Sequence, residues 1–219
     1  MVKITYYGHA CFGISDGNVS LLLDPFLRGN ALAAISPEEA EADYILVTHG
    51  HGDHVGDTEE IAKRTGAVII STVEVAGALF GDYKTLASNI GGWIPTPFGK
   101  VKLATAIHGS GVPGGLACGF IIEIGGRRIY HMGDTALTKD FELLADEAID
   151  VLLAPIGDFY TMGPKDAVRA AKMIRPKLVI PMHFNTFPAV RQDPDLFAEQ
   201  AAEAGISSNV LMPGESITI

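Results

Sequence analysis

Apolar residues fall in two rhythms along this chain. Short alternating or continuous runs, rich in β-branched residues and bounded by Gly, Asp or Asn, predict strands over 2–7, 10–15, 19–24, 44–48, 67–71, 101–107, 117–124, 127–132, 150–154, 177–181, 209–212 and 216–219. Runs whose apolar positions recur every three to four residues predict helices over 55–65, 73–80, 138–147, 164–175 and 194–204. Pro164 and Pro194 suit the first helical position, with Gly163 and Asp193 as N-caps. Gly66 closes the helix over 55–65. Asp16-Gly17 and Gly125-Gly126 are hairpin signals. Each half of the chain has a β-meander, then a strand–loop–helix unit with His or Asp at the loop. Two sheets face to face with helices outside accommodate that order, so an α/β fold of the αββα sandwich type is expected.

Composition narrows the picture. The 219 residues suffice for one sizeable core and are short for two, which makes 1–219 one expected domain. No apolar run approaches the roughly 20 residues that span a bilayer. The start, Met1-Val2-Lys3-Ile4-Thr5-Tyr6-Tyr7, alternates like a strand and not like a signal peptide. A cytoplasmic protein without a membrane partner is therefore expected. The net charge of −10 argues against nucleic acid, whose backbone needs a basic surface. A small-molecule substrate, an anionic one included, is the expected partner, and a homo-oligomer stays open. Cys11 and Cys118 lie in apolar strand-like contexts and read as buried free thiols, not a disulfide.

Residues 49–54 read His-Gly-His-Gly-Asp-His. Imidazole and carboxylate are nitrogen and oxygen ligands of divalent transition metals. A solvated polar turn would account for neither the His density nor the buried-looking strand Tyr44-Ile45-Leu46-Val47-Thr48 in front of it. The two glycines lack Cβ atoms, which lets the loop fold round an ion. Ligand sites gather at such strand ends in layered α/β folds. Further His and Asp follow other predicted strands: His108 after Val101 to Ile107, Asp134 after Arg128 to Gly133, and His183 after Leu178 to Met182. Each alone reads as a hydrogen-bonded structural residue; together with the cluster they read as the rest of a metal site.

In this order, His49-Gly50-His51-Gly52-Asp53-His54, His108, Gly133-Asp134-Thr135 and His183 resemble the five motifs of the metallo-β-lactamase superfamily, over essentially the whole chain. Tyr7-Gly8-His9-Ala10-Cys11-Phe12, Leu23-Asp24-Pro25-Phe26, Gly119-Phe120 and Thr161-Met162-Gly163-Pro164 are similar to its branch of uncharacterised metal-dependent hydrolases, near the ascorbate-6-phosphate lactonase and the N-acyl-phosphatidylethanolamine phospholipase. The resemblance implies two divalent ions, zinc before manganese or iron. His49, His51 and His108 would hold one, Asp53, His54 and His183 the other, and Asp134 would bridge them. A bridging hydroxide would then attack a small ester, lactone or phosphodiester. Asp53, Asp134 and His9 are the expected catalytic residues. The chain departs from the pattern at Gly109, where the branch has a hydroxyl residue; Ser110 follows. Flavo-diiron relatives have Glu where this chain has His51, which favours hydrolytic zinc chemistry. The competing readings are an iron-dependent oxygenase or redox enzyme on the same fold and a non-catalytic, metal-stabilised binding protein.

Other positions carry expectations. Asp24 would accept hydrogen bonds from a metal-bound imidazole or the motif backbone, or else be a plain turn residue. His9 would face the pocket or sit satisfied in the core. His131 reads as structural. The helix start at Thr161 to Lys165 would face an anionic substrate or simply be capped. Asn185 and Thr186 would bond an oxyanion or leaving group. Ser88 to Trp93 would wall or cover the pocket, or else be a connector with Trp93 in the core.

Overall fold

The computed structural model describes residues Met1–Ile219. One sheet holds seven strands, in spatial order β13 (Ser216–Thr218), β1 (Lys3–Gly8), β2 (Cys11–Ser15), β3 (Ser20–Leu23), β4 (Tyr44–Leu46), β5 (Val68–Thr72) and β6 (Thr85–Ser88). The other holds six: β12 (Leu178–Met182), β11 (Val151–Pro155), β10 (Arg127–His131), β9 (Cys118–Ile124), β8 (Gly99–Thr105) and β7 (Trp93–Thr96). Both are mixed. β3 to β6 run parallel and so do β10 to β12, while the meanders pair antiparallel.

Three apolar interfaces make four layers. Ile4, Phe12, Leu21, Val101, Phe120 and Leu153 meet between the sheets. The next residue on a strand points the other way: Ile121 and Leu152 face a second cluster with Ala167, Ala171, Ile174 and Phe197. These come from α4 (Pro164–Ile174) and α5 (Pro194–Glu203). Leu22, Ile45 and Ile69 pack outward on Ile61, Ala62 and Val75, which belong to α2 (Thr58–Thr65) and α3 (Val73–Leu79). This is the expected sandwich.

Several elements differ from expectation. The helix over 55–65 is two pieces, α1 (Gly52–Val55) and α2, because the motif itself forms the first turn. Residues Lys139–Glu147 are 3₁₀-helical, with buried Phe141 and half-buried Leu144 three apart on the packed face. The run 209–212 is no strand. Leu211 is buried between the sheets, but only the 207–209 stretch touches β12, through an isolated bridge. β6 and β7 were not expected; both are edge strands, and Pro95 interrupts the pattern of β7. Cys11 and Cys118 are buried free thiols.

Candidate metal centre

Every residue of the centre leaves a strand or hairpin at the same end of the sandwich. β4 delivers Thr48 to His54, and β3 beside it delivers Asp24. β8, β10 and β12 end shortly before His108, Asp134 and His183, and the β1–β2 turn carries His9. Gly50 is needed for close approach: a Cβ there would lie 3.0 Å from Ser110 O, the atom to which Gly50 N–H donates at 2.7 Å. Gly52, with open space round it, has no such role and simply begins α1.

The seven expected ligands come together in two groups. His49 Nε2 lies 3.0 Å from His51 Nδ1, which lies 3.3 Å from His108 Nε2. On the other side His183 Nε2 is 4.0 Å from Asp53 Oδ2, with His54 in the same group. Asp134 faces both groups. Its Oδ1 is 3.3 Å from His54 Nε2, and its Oδ2 is 3.2 Å from His183 Nε2 and 3.5 Å from His108 Nε2. His54 Nε2, His183 Nε2 and Asp134 Oδ1 are buried without a hydrogen bond. Unpaired buried polar atoms are costly. Converging nitrogen and carboxylate donors at this spacing suit cations with bonds of about 2.0–2.2 Å, so the residues fit a metal.

Protonation agrees. Thr48 donates its N–H to Asp24 Oδ1 at 2.8 Å and its hydroxyl to Asp24 Oδ2 at 2.7 Å. The Thr48 oxygen can then accept from His49 Nδ1 at 3.0 Å, while His54 Nδ1 donates to Asp24 Oδ2 at 2.8 Å. With Nδ1 engaged in this way, both rings aim Nε2 inward, the orientation metal-binding imidazoles need. Asp24 therefore plays the orienting role expected of it. Burial, reinforced by the neighbouring His54 charge, pushes His49 down to about 2. Burial also lowers His108. In Asp134 burial works toward protonation, but the His54 and His183 charges win and hold the carboxyl well below its usual range. Burial likewise opposes the charge of His54, and the Asp134 and Asp24 carboxylates outweigh it. For His49, His108 and Asp134 these are the forms that bind a cation, whereas His54, charged by its carboxylate neighbours, would release a proton to an incoming cation.

His9 departs from the catalytic role expected of it. It is fully buried behind Asp53 and lines no part of the cleft, so it touches no substrate. Its Nδ1 is 2.8 Å from Thr186 Oγ1, and its Nε2 is 3.3 Å from Asp53 Oδ2. Thr186 has one proton to give, and Phe184 O, its other acceptor, is 3.4 Å away. The shorter contact wins, so His9 keeps its proton on Nε2 and donates to Asp53. His9 is a positioning residue. Thr186 is spent on His9, and Asn185, whose Oδ1 accepts from Gln192 N–H, lines the neighbouring groove and not the cleft over the cage. The Thr161 and Met162 N–H groups are bound to Asp158 O and Thr135 O, which removes them as anion donors. Trp93 lies among Lys100, Lys102 and Arg128 on the edge strand, away from the cleft, and the 88–93 segment is no lid. His131 is structural, donating from Nε2 to Ala10 O at 2.8 Å. Ser110 turns its hydroxyl to Val112 O, so it does not replace the one absent at Gly109.

The cleft over the centre measures about 580 Å³ and is lined by the cage residues His51, Asp53, His108 and Asp134 together with Tyr160, Phe187, Pro188 and Ala189. Sequence reasoning missed Thr48 and this apolar wall. The adjacent aromatics Phe159 and Tyr160 in a loop, 74% and 55% exposed, were the available signal.

A two-sheet sandwich carrying this His/Asp cage at one end defines a metallo-hydrolase of the metallo-β-lactamase fold. The family model for the Beta-lactamase superfamily domain matches residues 3–183. A UPF0173 metal-dependent hydrolase of Symbiobacterium thermophilum is 50% identical, with 100% of each chain covered. Its counterpart in Thermus thermophilus is 44% identical over the same full coverage. Igni18, a metallo hydrolase from the archaeon Ignicoccus hospitalis, superposes with a TM-score of 0.94 at 36% identity, covering 100% of this chain and 98% of that one. The chain belongs to the UPF0173 metal-dependent hydrolase family.

Proposed function

We propose that the protein hydrolyses a small ester, lactone or phosphodiester at a centre of two divalent ions, zinc in both positions. The observation that carries this reading is Asp134, which reaches both ligand groups: Oδ1 lies 3.3 Å from His54 Nε2, and Oδ2 lies between His183 Nε2 at 3.2 Å and His108 Nε2 at 3.5 Å. His49, His51 and His108 would hold one ion and Asp53, His54 and His183 the other, with Asp134 between the two groups. When bound, the ions supply an activated water and an electrophilic clamp for the attacked group. An all-nitrogen-and-carboxylate donor set suits zinc.

The chain's own residues do the rest. Asp24 and Thr48 fix the tautomers of His49 and His54. His9 fixes Asp53. The Asp53 side chain is 30% exposed and open to the cleft. It is placed to take the proton of the attacking water and pass it to the departing oxygen, as the new C–O or P–O bond forms and the bond to the leaving group breaks.

The test is metal analysis of protein purified without added metal, followed by turnover of chromogenic esters, lactones and phosphodiesters. Two zinc ions per chain are expected, with activity lost on chelation and restored by zinc. Redox-active iron without hydrolytic turnover would favour an oxygenase instead. A His51→Ala protein that kept its hydrolytic activity and only melted lower would favour a binding protein.

A further inference from the structure

We infer that the substrate is an uncharged carboxylic ester or lactone whose apolar arm lies on Tyr160 and Phe187, and that anionic substrates are disfavoured. The inference rests on the hydrolase reading above and narrows it.

The first observation is the charge of the cleft. No Lys or Arg is among its lining residues, and Asp53 and Asp134 are. Asp24 lies buried directly behind, on His54. These three carboxylates offset three of the four positive charges of two dications, and the ionised form of the attacking water offsets the fourth. A loaded centre of that composition is neutral. Sites that take anions supply further cations or unspent N–H groups. Here no residue of the helix start at 161–166 lines the cleft, and the Thr161 and Met162 N–H groups are already bonded. Arg191 opens instead onto the neighbouring groove with Asn185 and Asp193. At longer range the −10 net charge repels an approaching anion.

The second observation is the apolar wall. Tyr160 and Phe187 line the same cleft as the cage residues, and Phe159 packs edge-on against Tyr160 with ring centroids 4.7 Å apart. Ile107, next to His108, is 52% exposed. Large apolar side chains left open beside a polar cage mark a surface that binds apolar matter. A substrate arm covering it gains hydrophobic free energy that a charged arm would forfeit through desolvation.

The test uses a matched pair on the zinc-loaded protein: 4-nitrophenyl valerate and the 4-nitrophenyl monoester of glutaric acid, equal in reach and leaving group, unequal in charge. We expect kcat/KM at least about tenfold higher for the neutral ester, the factor that goes with roughly 1.4 kcal/mol. Tyr160→Ser should raise KM for the valerate by a larger factor than KM for 4-nitrophenyl acetate, whose arm is too short to cover the ring. Arg191→Ala should leave the neutral-to-anionic ratio unchanged. Equal or better turnover of the anionic ester overturns the inference. A calorimetric arm reads binding without turnover, with the non-hydrolysed amides N-phenylvaleramide and N-phenylglutaramic acid. Tighter binding of the neutral amide supports the inference even if neither ester is cleaved, a result that would sink the hydrolase reading alone. Tighter binding of the acid, or no binding of either at millimolar concentration, overturns it.

Discussion

The backbone N–H of His183 donates to the carbonyl of His9 at 2.7 Å, and both residues sit in the left-handed region, at φ 57° and 58°. One belongs to the end of β12 and the other to the β1–β2 turn, so this bond ties one sheet to the other at the metal cage. Tyr6 donates its hydroxyl to the same carbonyl at 3.1 Å. A non-glycine residue held there costs about 1–3 kcal/mol and persists only when its surroundings enforce it. The enforcement aims the His9 ring at Asp53. Its ring centroid is 4.0 Å from that of His183.

The His9–Asp53 contact should therefore be worth metal affinity. Partners that orient metal ligands typically contribute about 10–100-fold in affinity. If the centre takes two ions as proposed, His9→Ala should weaken the one held by Asp53 by that factor and spare the other. His9→Gln, which keeps an N–H donor of similar reach, should recover most of the loss. Competition with a chromophoric chelator measures both ions. Unchanged affinity in the alanine variant would leave His9 a packing residue only.

His131 gives a pH dependence whose sign is set by its bonds. Nε2–H donates to Ala10 O, and Nδ1 accepts from Gly133 N–H at 3.2 Å. A second proton would set two N–H groups against each other. Burial is the chief cause that holds this imidazole below its ordinary pKa. The unfolded chain takes up that proton near pH 6.5, and the folded chain only at lower pH. The contribution to stability is thus full above about pH 6.5 and falls as the pH drops below it, by at most about 1.4 kcal/mol per unit. Urea unfolding in EDTA between about pH 7.5 and 5 should show a shallower decline for His131→Gln than for the parent. Equal slopes would mean that His131 titrates alike in both states.

The cage and the layers were legible in the sequence for different reasons. His49 to His54 announce themselves by density, and His108, Asp134 and His183 by following apolar runs that do become β8, β10 and β12. Edge strands were not legible. β6 buries little, and β7 carries a proline in its middle. Val210-Leu211-Met212 looks like a strand because Leu211 is needed between the sheets, yet burial of one side chain does not demand a ladder. Thr48 escaped notice because its role depends on Asp24, a partner twenty-four residues away that only the parallel β3–β4 pairing brings alongside. The wall of Tyr160 and Phe187 joins two loops with no shared pattern.

Two glycines behind the cage separate space from strain. A Cβ on Gly109 would meet nothing nearer than His51 Cε1 at 3.7 Å, an ordinary contact. Gly109→Ser, which restores a hydroxyl directly after His108, should leave stability within about 0.5 kcal/mol of the parent, as surface substitutions do. Gly111 is the opposite case. It holds φ +74°, and a Cβ there would lie 2.5 Å from the Gly50 carbonyl carbon and 2.8 Å from His51 N. No side chain can yield, because the clash is with backbone. Gly111→Ala must push the loop that carries His108 off the loop that carries His51, and should cost more than about 1 kcal/mol, the lower end for a strained left-handed position. Since those two histidines belong to one ligand group, the variant should also lose the ion proposed for that group before the one proposed for the other. Thermal melts with metal analysis check both. A Gly111→Ala protein that kept its stability and two ions would show that the loops are not held in register by this contact.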